Sequence, residues 1–167
     1  MEGSTTDTRD FKQLKELIEE AKIGMLTTED ADGTLRSRPL QTVGVDEDGV
    51  LWFFTSATSP KVAEAKADGG RVNVSYANPA KYDFVSVSGH ASVVRDRDKM
   101  REMWTKWVEA FFPKGIDDPD LALLRVDIEK AEYWDAPGTA VGRMYGLAKA
   151  LTTGKQDALG ENRKVEL

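Results

Sequence analysis

Two segments of this 167-residue chain concentrate the side chains best suited to chemistry: Arg36-Ser37-Arg38-Pro39-Leu40-Gln41, and Trp52-Phe53-Phe54-Thr55-Ser56-Ala57-Thr58-Ser59-Pro60-Lys61. Both begin as β-like runs, and an acidic turn joins them. Successive side chains on an extended backbone point to opposite faces, so Arg36 and Arg38 share a face with Ser37 behind them. Two guanidinium groups can then converge on one anion. Lys61 follows Ser59-Pro60 at a helix start, where unpaired backbone N–H groups and the helix dipole also favour an anion. Thr55, Ser56, Thr58 and Ser59 add short hydroxyls, which serve equally as donors to a phosphate or as caps of the helix. With Phe54 closing the aromatic run, the pattern suits a phosphate beside a flat apolar ring; the alternative is two solvent-facing arginines on an edge strand.

The remaining candidates are weaker. Trp134, ahead of Pro137-Gly138, either closes the core or stacks on a planar ligand. Trp104 and Trp107 lie on a helical stripe and are expected to pack in the core or an interface. His90 is the sole histidine, and without cysteine or close acidic partners in sequence it forms no zinc site. Asp117-Asp118-Pro119-Asp120 lacks the glycine and closing glutamate of a calcium loop and reads as a turn before a strand. No serine sits in a nucleophile elbow. No catalytic residue and no metal ligand is assigned.

Elements must position these groups. Apolar spacing predicts a helix from Asp10 to Lys22, strands over Ile23–Thr28, Leu35–Val45 and Val50–Thr55, and a short helix from Lys61 to Ala67. Further strands are expected over Arg71–Ala77, Asp83–Val94 and within Leu121–Trp134, with one helix over Arg97–Phe112. Pro39 inside its strand requires an edge, a bulge, or something other than a strand facing the backbone. Six strands in mostly hairpin order, without a βαβ rhythm, predict a mainly β (α+β) fold: a six-stranded antiparallel barrel with accessory helices. The expected organisation is a disordered 1–9, one domain over 10–135, and a poorly patterned extension over 136–167 with a polar tail from Thr152.

Composition narrows function. Hydrophobic residues make up 40% and charged residues 31%, which permits a core. With 23 Lys and Arg against 29 Asp and Glu, the net charge of −6 disfavours nucleic acid and anionic membranes as partners. No run is long and apolar enough for a membrane helix. Absence of cysteine fits a reducing compartment, and a cytoplasmic location is expected.

The sequence resembles the general stress protein 26 branch of the pyridoxamine 5′-phosphate oxidase-like, FMN-binding split-barrel family. The matching pieces are Arg36–Leu40, Leu51–Thr55 with Ser59 and Lys61, Val87–Ala91, Phe111–Gly115 with Asp118–Asp120, and Ala131–Trp134, in that order over about residues 10 to 135. The resemblance implies a split barrel paired as a homodimer, with FMN, or FAD as the alternative, in grooves at the subunit interface. It implies Arg36 and Lys61 on the phosphate with Thr55 and Ser59 helping, and Arg38, Pro39, Leu40 and Gln41 along the isoalloxazine edge. Phe54 and Ser37 lie in the same matching segments, Ser56 directly follows the second of them and joins the expected cofactor-binding set, and Trp134 matches a tryptophan that approaches the flavin from the other subunit. Vitamin B6 oxidases carry an arginine where this chain has Pro60 and a substrate lysine where it has Gln41, and their arginine–histidine pair is not recognisable after Trp134. Pyridoxamine-phosphate oxidation is therefore not expected. The resemblance implies instead an FMN-dependent oxidoreductase acting on a small molecule or nicotinamide; alternatives are a non-catalytic flavin carrier or redox sensor, or a haem barrel using His90.

Overall fold

Val50-Leu51-Trp52-Phe53-Phe54 is a run in which every side chain is apolar, and all five are buried. A strand with one wet face would alternate; this one, β3 (Val50–Ser56), is covered on both sides and sits at the centre of the molecule. In a computed structural model that describes residues 8–67, 70–136, 140–154 and 161–167, its inner face meets the barrel core and its outer face meets two short helices.

The chain begins with α1 (Thr8–Ala21), whose Phe11, Leu14, Leu17 and Ile18 are buried in the barrel core. Then come β1 (Ile23–Glu29), β2 (Leu35–Asp46), β3, and α2 (Pro60–Ala67). They are followed by β4 (Arg71–Asn78), β5 (Asp83–Val94), α3 (Arg97–Met103), α4 (Lys106–Phe111), β6 (Leu121–Asp135), α5 (Ala140–Thr153) and β7 (Glu161–Glu166). The strands run β3-β2-β1-β4-β5-β6, all antiparallel, and β3 pairs with β6 to close a six-stranded barrel. The expected meander of the first three strands is present.

Closure depends on a kink. The β5–β6 register shifts between Ser88 and Gly89, where Ser88 faces Lys130 and Gly89 faces Ile128, leaving Glu129 as the extra residue. A Cβ on Gly89 would stand 2.0 Å from the Asp127 carbonyl oxygen, so only glycine permits this approach of two backbones.

Three expectations need correction. The helix expected over Arg97–Phe112 is two helices: Trp104 is extended (φ −70°, ψ 129°), and Thr105 caps α4 by accepting the Val108 N–H at 3.2 Å. The stripe still works as one surface, since Met100, Val108 and the half-buried Trp104 all pack on the outer side of β3. The extension beyond residue 135, expected to lack pattern and end in a polar tail, instead carries α5 and β7. Strand β7 pairs with β6 from Lys130↔Glu166 to Asp135↔Glu161, with Val165 buried against the core. The expected disordered N-terminus overlaps α1 at Thr8, and its first seven residues lie outside the described residues.

Candidate functional site

Strand β2 places Arg36 and Arg38 on one face, as alternation requires, and Ser37 on the other, where its hydroxyl meets Thr27 at 2.7 Å. Helix α2 begins at Pro60, whose fixed φ and missing N–H suit a first helical position. One turn in, it presents Glu64, only 8% exposed. Both guanidinium groups donate to this carboxylate: Arg36 Nη1 to Oε1 at 3.3 Å and Arg38 Nη2 to Oε2 at 2.5 Å. Buried Thr28 donates to Oε2 at 2.6 Å and accepts from Arg38 Nη1 at 2.5 Å, while Arg36 also reaches Asp30 at 3.3 Å.

Such a carboxylate remains ionised. The Thr28 hydrogen bond, then the Arg38 and Arg36 charges, hold Glu64 below the ordinary 4.5 despite the opposing effect of burial. Its stabilising contribution is therefore present above the unfolded value and is lost as pH falls through the lowered folded one.

Lys61 lies against the same cluster. Burial pushes its ammonium below the ordinary 10.5, Arg38 pushes it further, and Glu64 opposes them. It makes no hydrogen bond or ion pair among the described residues. Arg36 and Arg38 thus share Glu64, with Lys61 beside them at the start of α2, while Arg36 also pairs with Asp30 and lies within electrostatic reach of Asp32.

The hydroxyl loop between β3 and α2 is fastened by the residue that leads into β6, the strand paired with β3. Asp120, the last residue before β6, accepts from the Ser56 hydroxyl, the Thr58 N–H at 3.1 Å and the Thr58 hydroxyl at 3.0 Å. The Ala57 N–H donates to the Asp120 carbonyl at 2.8 Å. The Ser56 bond chiefly, then those from Thr58, hold the Asp120 carboxyl below its ordinary 3.8. Thr55, buried, and Ser59, half-buried, face each other at 3.4 Å behind this loop.

Beside the cations β2 has a free edge. Residues 35–41 pair with β1, from Glu29↔Leu35 to Ile23↔Gln41, but pairing with β3 starts only at Thr42. Pro39, which has no N–H to offer, sits within this stretch. Next to it opens a cleft of about 300 Å³, bounded by Pro39, Leu40, Gln41 and Phe54 on the strand side and by Trp107 and Phe111 from α4.

Of the residues singled out from sequence, Arg36, Arg38 and Lys61 come together around Glu64; Thr55 and Ser56 end β3 and Ser59 stands in the loop that leads to the cations; and Pro39, Leu40, Gln41 and Phe54 line the neighbouring cleft. Ser37 faces away. Trp134 stands on β6 between Phe84 and Asn162, partly exposed, and does not line the cleft. His90 Nδ1 lies 2.7 Å from Glu129 at the bulge. Sequence reasoning missed Glu64, whose only signal was a carboxylate one turn after Lys61, and the role of Asp120, which it read as a turn residue. Among the described residues no cluster of metal-ligating side chains occurs, and no helix is long and apolar enough to cross a membrane.

Comparison with known proteins gives consistent matches. The sequence pattern of the family described as pyridoxamine 5′-phosphate oxidase like matches residues 9–158. Protein bli-3 of Neurospora crassa is 30% identical, over 93% of this chain and 78% of its own. Among solved structures, the general stress FMN/FAD binding protein of Xanthomonas citri superposes with a TM-score of 0.65 at 27% identity, over 77% of this chain and 89% of that one. A protein of Clostridium acetobutylicum related to general stress protein 26 of Bacillus subtilis has a TM-score of 0.70 at 20% identity, over 96% of both chains, and shares the split-barrel fold.

Proposed function

The chain belongs to the pyridoxamine 5′-phosphate oxidase-like family, and we propose that it is a flavin-binding general stress protein, an FMN-dependent oxidoreductase acting on a small molecule or nicotinamide. The observation that carries this reading is Lys61: a half-buried ammonium with no ion-pair partner among the described residues, next to two guanidinium groups. Burying a charge without a partner costs free energy, and a phosphate arriving there would recover it.

In this reading Arg36, Arg38 and Lys61 hold the phosphate, with Thr55, Ser56 and Ser59 at its rim, and Glu64 keeps the arginines in place. The free edge of β2 supplies main-chain groups to the ring's polar edge, which accounts for a proline in that strand. The flavin itself carries the hydride or electrons, so the protein need only bind, orient and shield it. FMN is favoured because one phosphate suffices for the cations present; FAD is the other candidate. Gln41 and Pro60, where vitamin B6 oxidases carry cations, argue against pyridoxamine phosphate as substrate. An absorbance spectrum of the purified protein, with extraction of the bound chromophore, tests the flavin. A colourless protein that gains no flavin signal on adding FMN or FAD would refute it.

Lys61→Met is expected to weaken FMN by about 1–3 kcal/mol, the scale of a lost hydrogen bond to a charged group. It should leave the melting temperature of the flavin-free protein unchanged or higher, because it removes a poorly solvated charge. Flavin-fluorescence titration and a thermal melt check both halves; a structural lysine would lower the melt instead. Asp120→Ala, which touches only the loop, is expected to weaken FMN by about tenfold through misplaced loop donors, read in the same titration.

A second reading, a flavin carrier or redox sensor, is favoured by the lack of any acid, base or nucleophile lining the cleft among the described residues. Reduction of bound flavin by NADH or NADPH no faster than free flavin would select it. The haem alternative loses ground because His90, on β5 next to the bulge, does not line the cleft.

A homodimer placing Trp134 of one protomer near the flavin of the other forms part of the proposal. Exposed Trp107, Phe111, Ile23 and Met25 leave more apolar surface than a monomer of this size ordinarily shows. Sedimentation at micromolar concentration should give a dimer; a monomer would contradict it. The cytoplasmic location rests on the absence of cysteine alone.

A further inference from the structure

Lys61 differs from other lysines of the chain in what surrounds it. Lys15 and Lys81 lie against Glu47 and Glu20, and those hydrogen bonds push their ammonium groups above the ordinary 10.5. Lys99 reaches Asp46 at 3.5 Å. Lys61, half-buried in the first turn of α2, has no carboxylate to itself: both oxygens of Glu64, one turn on, are taken by Arg36, Arg38 and Thr28. Burial and the Arg38 charge favour the neutral amine there. A neutral amine is a nucleophile and an ammonium is not, so a desolvated lysine beside a guanidinium is of the kind that reacts covalently. Lys66, on the same helix, is exposed and serves as the comparison.

The neighbours select the electrophile. Arg36 and Arg38 meet at Glu64 beside Lys61, and guanidinium groups take phosphate oxygens with paired N–H donors. The Arg36 side chain is 55% exposed, so an anion can reach it from water. A mixed anhydride of a carboxylic and a phosphoric acid puts a phosphate on these cations and a reactive carbonyl next to it. A free aldehyde or a plain acid anhydride brings the carbonyl without that anchor.

We infer that Lys61 is an acylation site: in the flavin-free protein its amine attacks the carbonyl carbon of a small acyl phosphate whose phosphate end Arg36 and Arg38 hold. The N–C bond forms as the bond from the carbonyl carbon to the bridging phosphate oxygen breaks. Inorganic phosphate leaves with that electron pair, the proton on nitrogen passes to water, and nothing is oxidised or reduced. The product amide carries no charge, so acylation removes a cation from the place where the flavin's phosphate is proposed to bind, and the two events exclude one another. That exclusion rests on the flavin reading; the acylation itself rests on the cations alone.

The test incubates full-length protein, stripped of flavin, with acetyl phosphate and maps acetyl-lysine over time by peptide mass spectrometry. Expected is acetylation of Lys61 about tenfold faster than of Lys66, slowed by millimolar inorganic phosphate and by FMN while Lys66 is unaffected. In Arg36→Ala the Lys61 rate should fall to that of Lys66 with acetyl phosphate but not with acetic anhydride, which needs no phosphate anchor. Protein acetylated at Lys61 should take up FMN at least about tenfold more weakly. Equal rates at the two lysines, no slowing by phosphate, indifference to Arg36→Ala, or undiminished FMN uptake after acetylation would each overturn the assignment. Slowing by phosphate with no effect of FMN would instead overturn the flavin reading and leave the acylation site standing.

Discussion

On the proposed flavin reading, the double substitution Arg36→Ala/Lys61→Met is expected to weaken FMN by about 3–5 kcal/mol, roughly 150- to 5,000-fold, enough for the variant to purify colourless where the parent protein would purify yellow. The reasoning is electrostatic. Arg36, Arg38 and Lys61 are the cations gathered at Glu64, and the double variant leaves Arg38 alone there against unchanged carboxylates. Arg38 is then left bound to Glu64, and an incoming phosphate meets a carboxylate that one guanidinium neutralises. Because the groups share one site, the two single effects should not simply add. Flavin titration of both singles and the double measures the coupling. A double variant binding as tightly as either single would show that the phosphate lies elsewhere.

Gly89→Ala should produce the largest loss of stability available from a single methyl group in this barrel, about 3–4 kcal/mol, or roughly 6–15 °C in melting temperature. The added carbon would stand 2.0 Å from the Asp127 oxygen, 2.9 Å from its carbonyl carbon and 3.2 Å from the Ile128 Cα. All three are backbone atoms of the neighbouring strand, so no side chain can swing aside. Relief requires β5 and β6 to part at the bulge, within the ladder that continues into the closing β3–β6 pairing. Gly33→Ala is the matched control. Gly33 also needs glycine's freedom at φ +85°, yet nothing lies within 4 Å of its added Cβ, so its cost should be about 1 kcal/mol. Equal losses in the two melts would contradict the packing argument.

The barrel was legible because its strands announce themselves chemically. The all-apolar run at Val50–Phe54 marked a strand covered on both faces, and Pro39 marked a strand edge left open. Strand β7 was not legible, because an edge strand with one dry contact needs only one apolar residue, here Val165 amid Asn, Arg, Lys and Glu. The break at Trp104-Thr105 was hidden for a related reason. Met100, Trp104 and Val108 keep helical spacing through it, since both helices rest on the same patch of β3, and only the cap at Thr105 betrays the interruption.

At the site, residue type revealed the cations but not their counterpart. Alternation shows that Arg36 and Arg38 share a face; it cannot show that a helix two elements later turns Glu64 toward them. That pairing belongs to the tertiary structure, as does the fastening of Ser56 and Thr58 by Asp120, 64 and 62 residues away in sequence.

The grip of Glu64 and Thr28 on the arginines bears on how fast and how tightly an anion can be caught. Long, rotamer-rich side chains surrender about 0.5–1.5 kcal/mol each when a ligand must immobilise them. Here Arg38 is held by two partners and Arg36 by two, so folding has already met much of that entropic loss. On the proposed reading, a phosphate arriving at the start of α2 would meet a receptor that is already ordered.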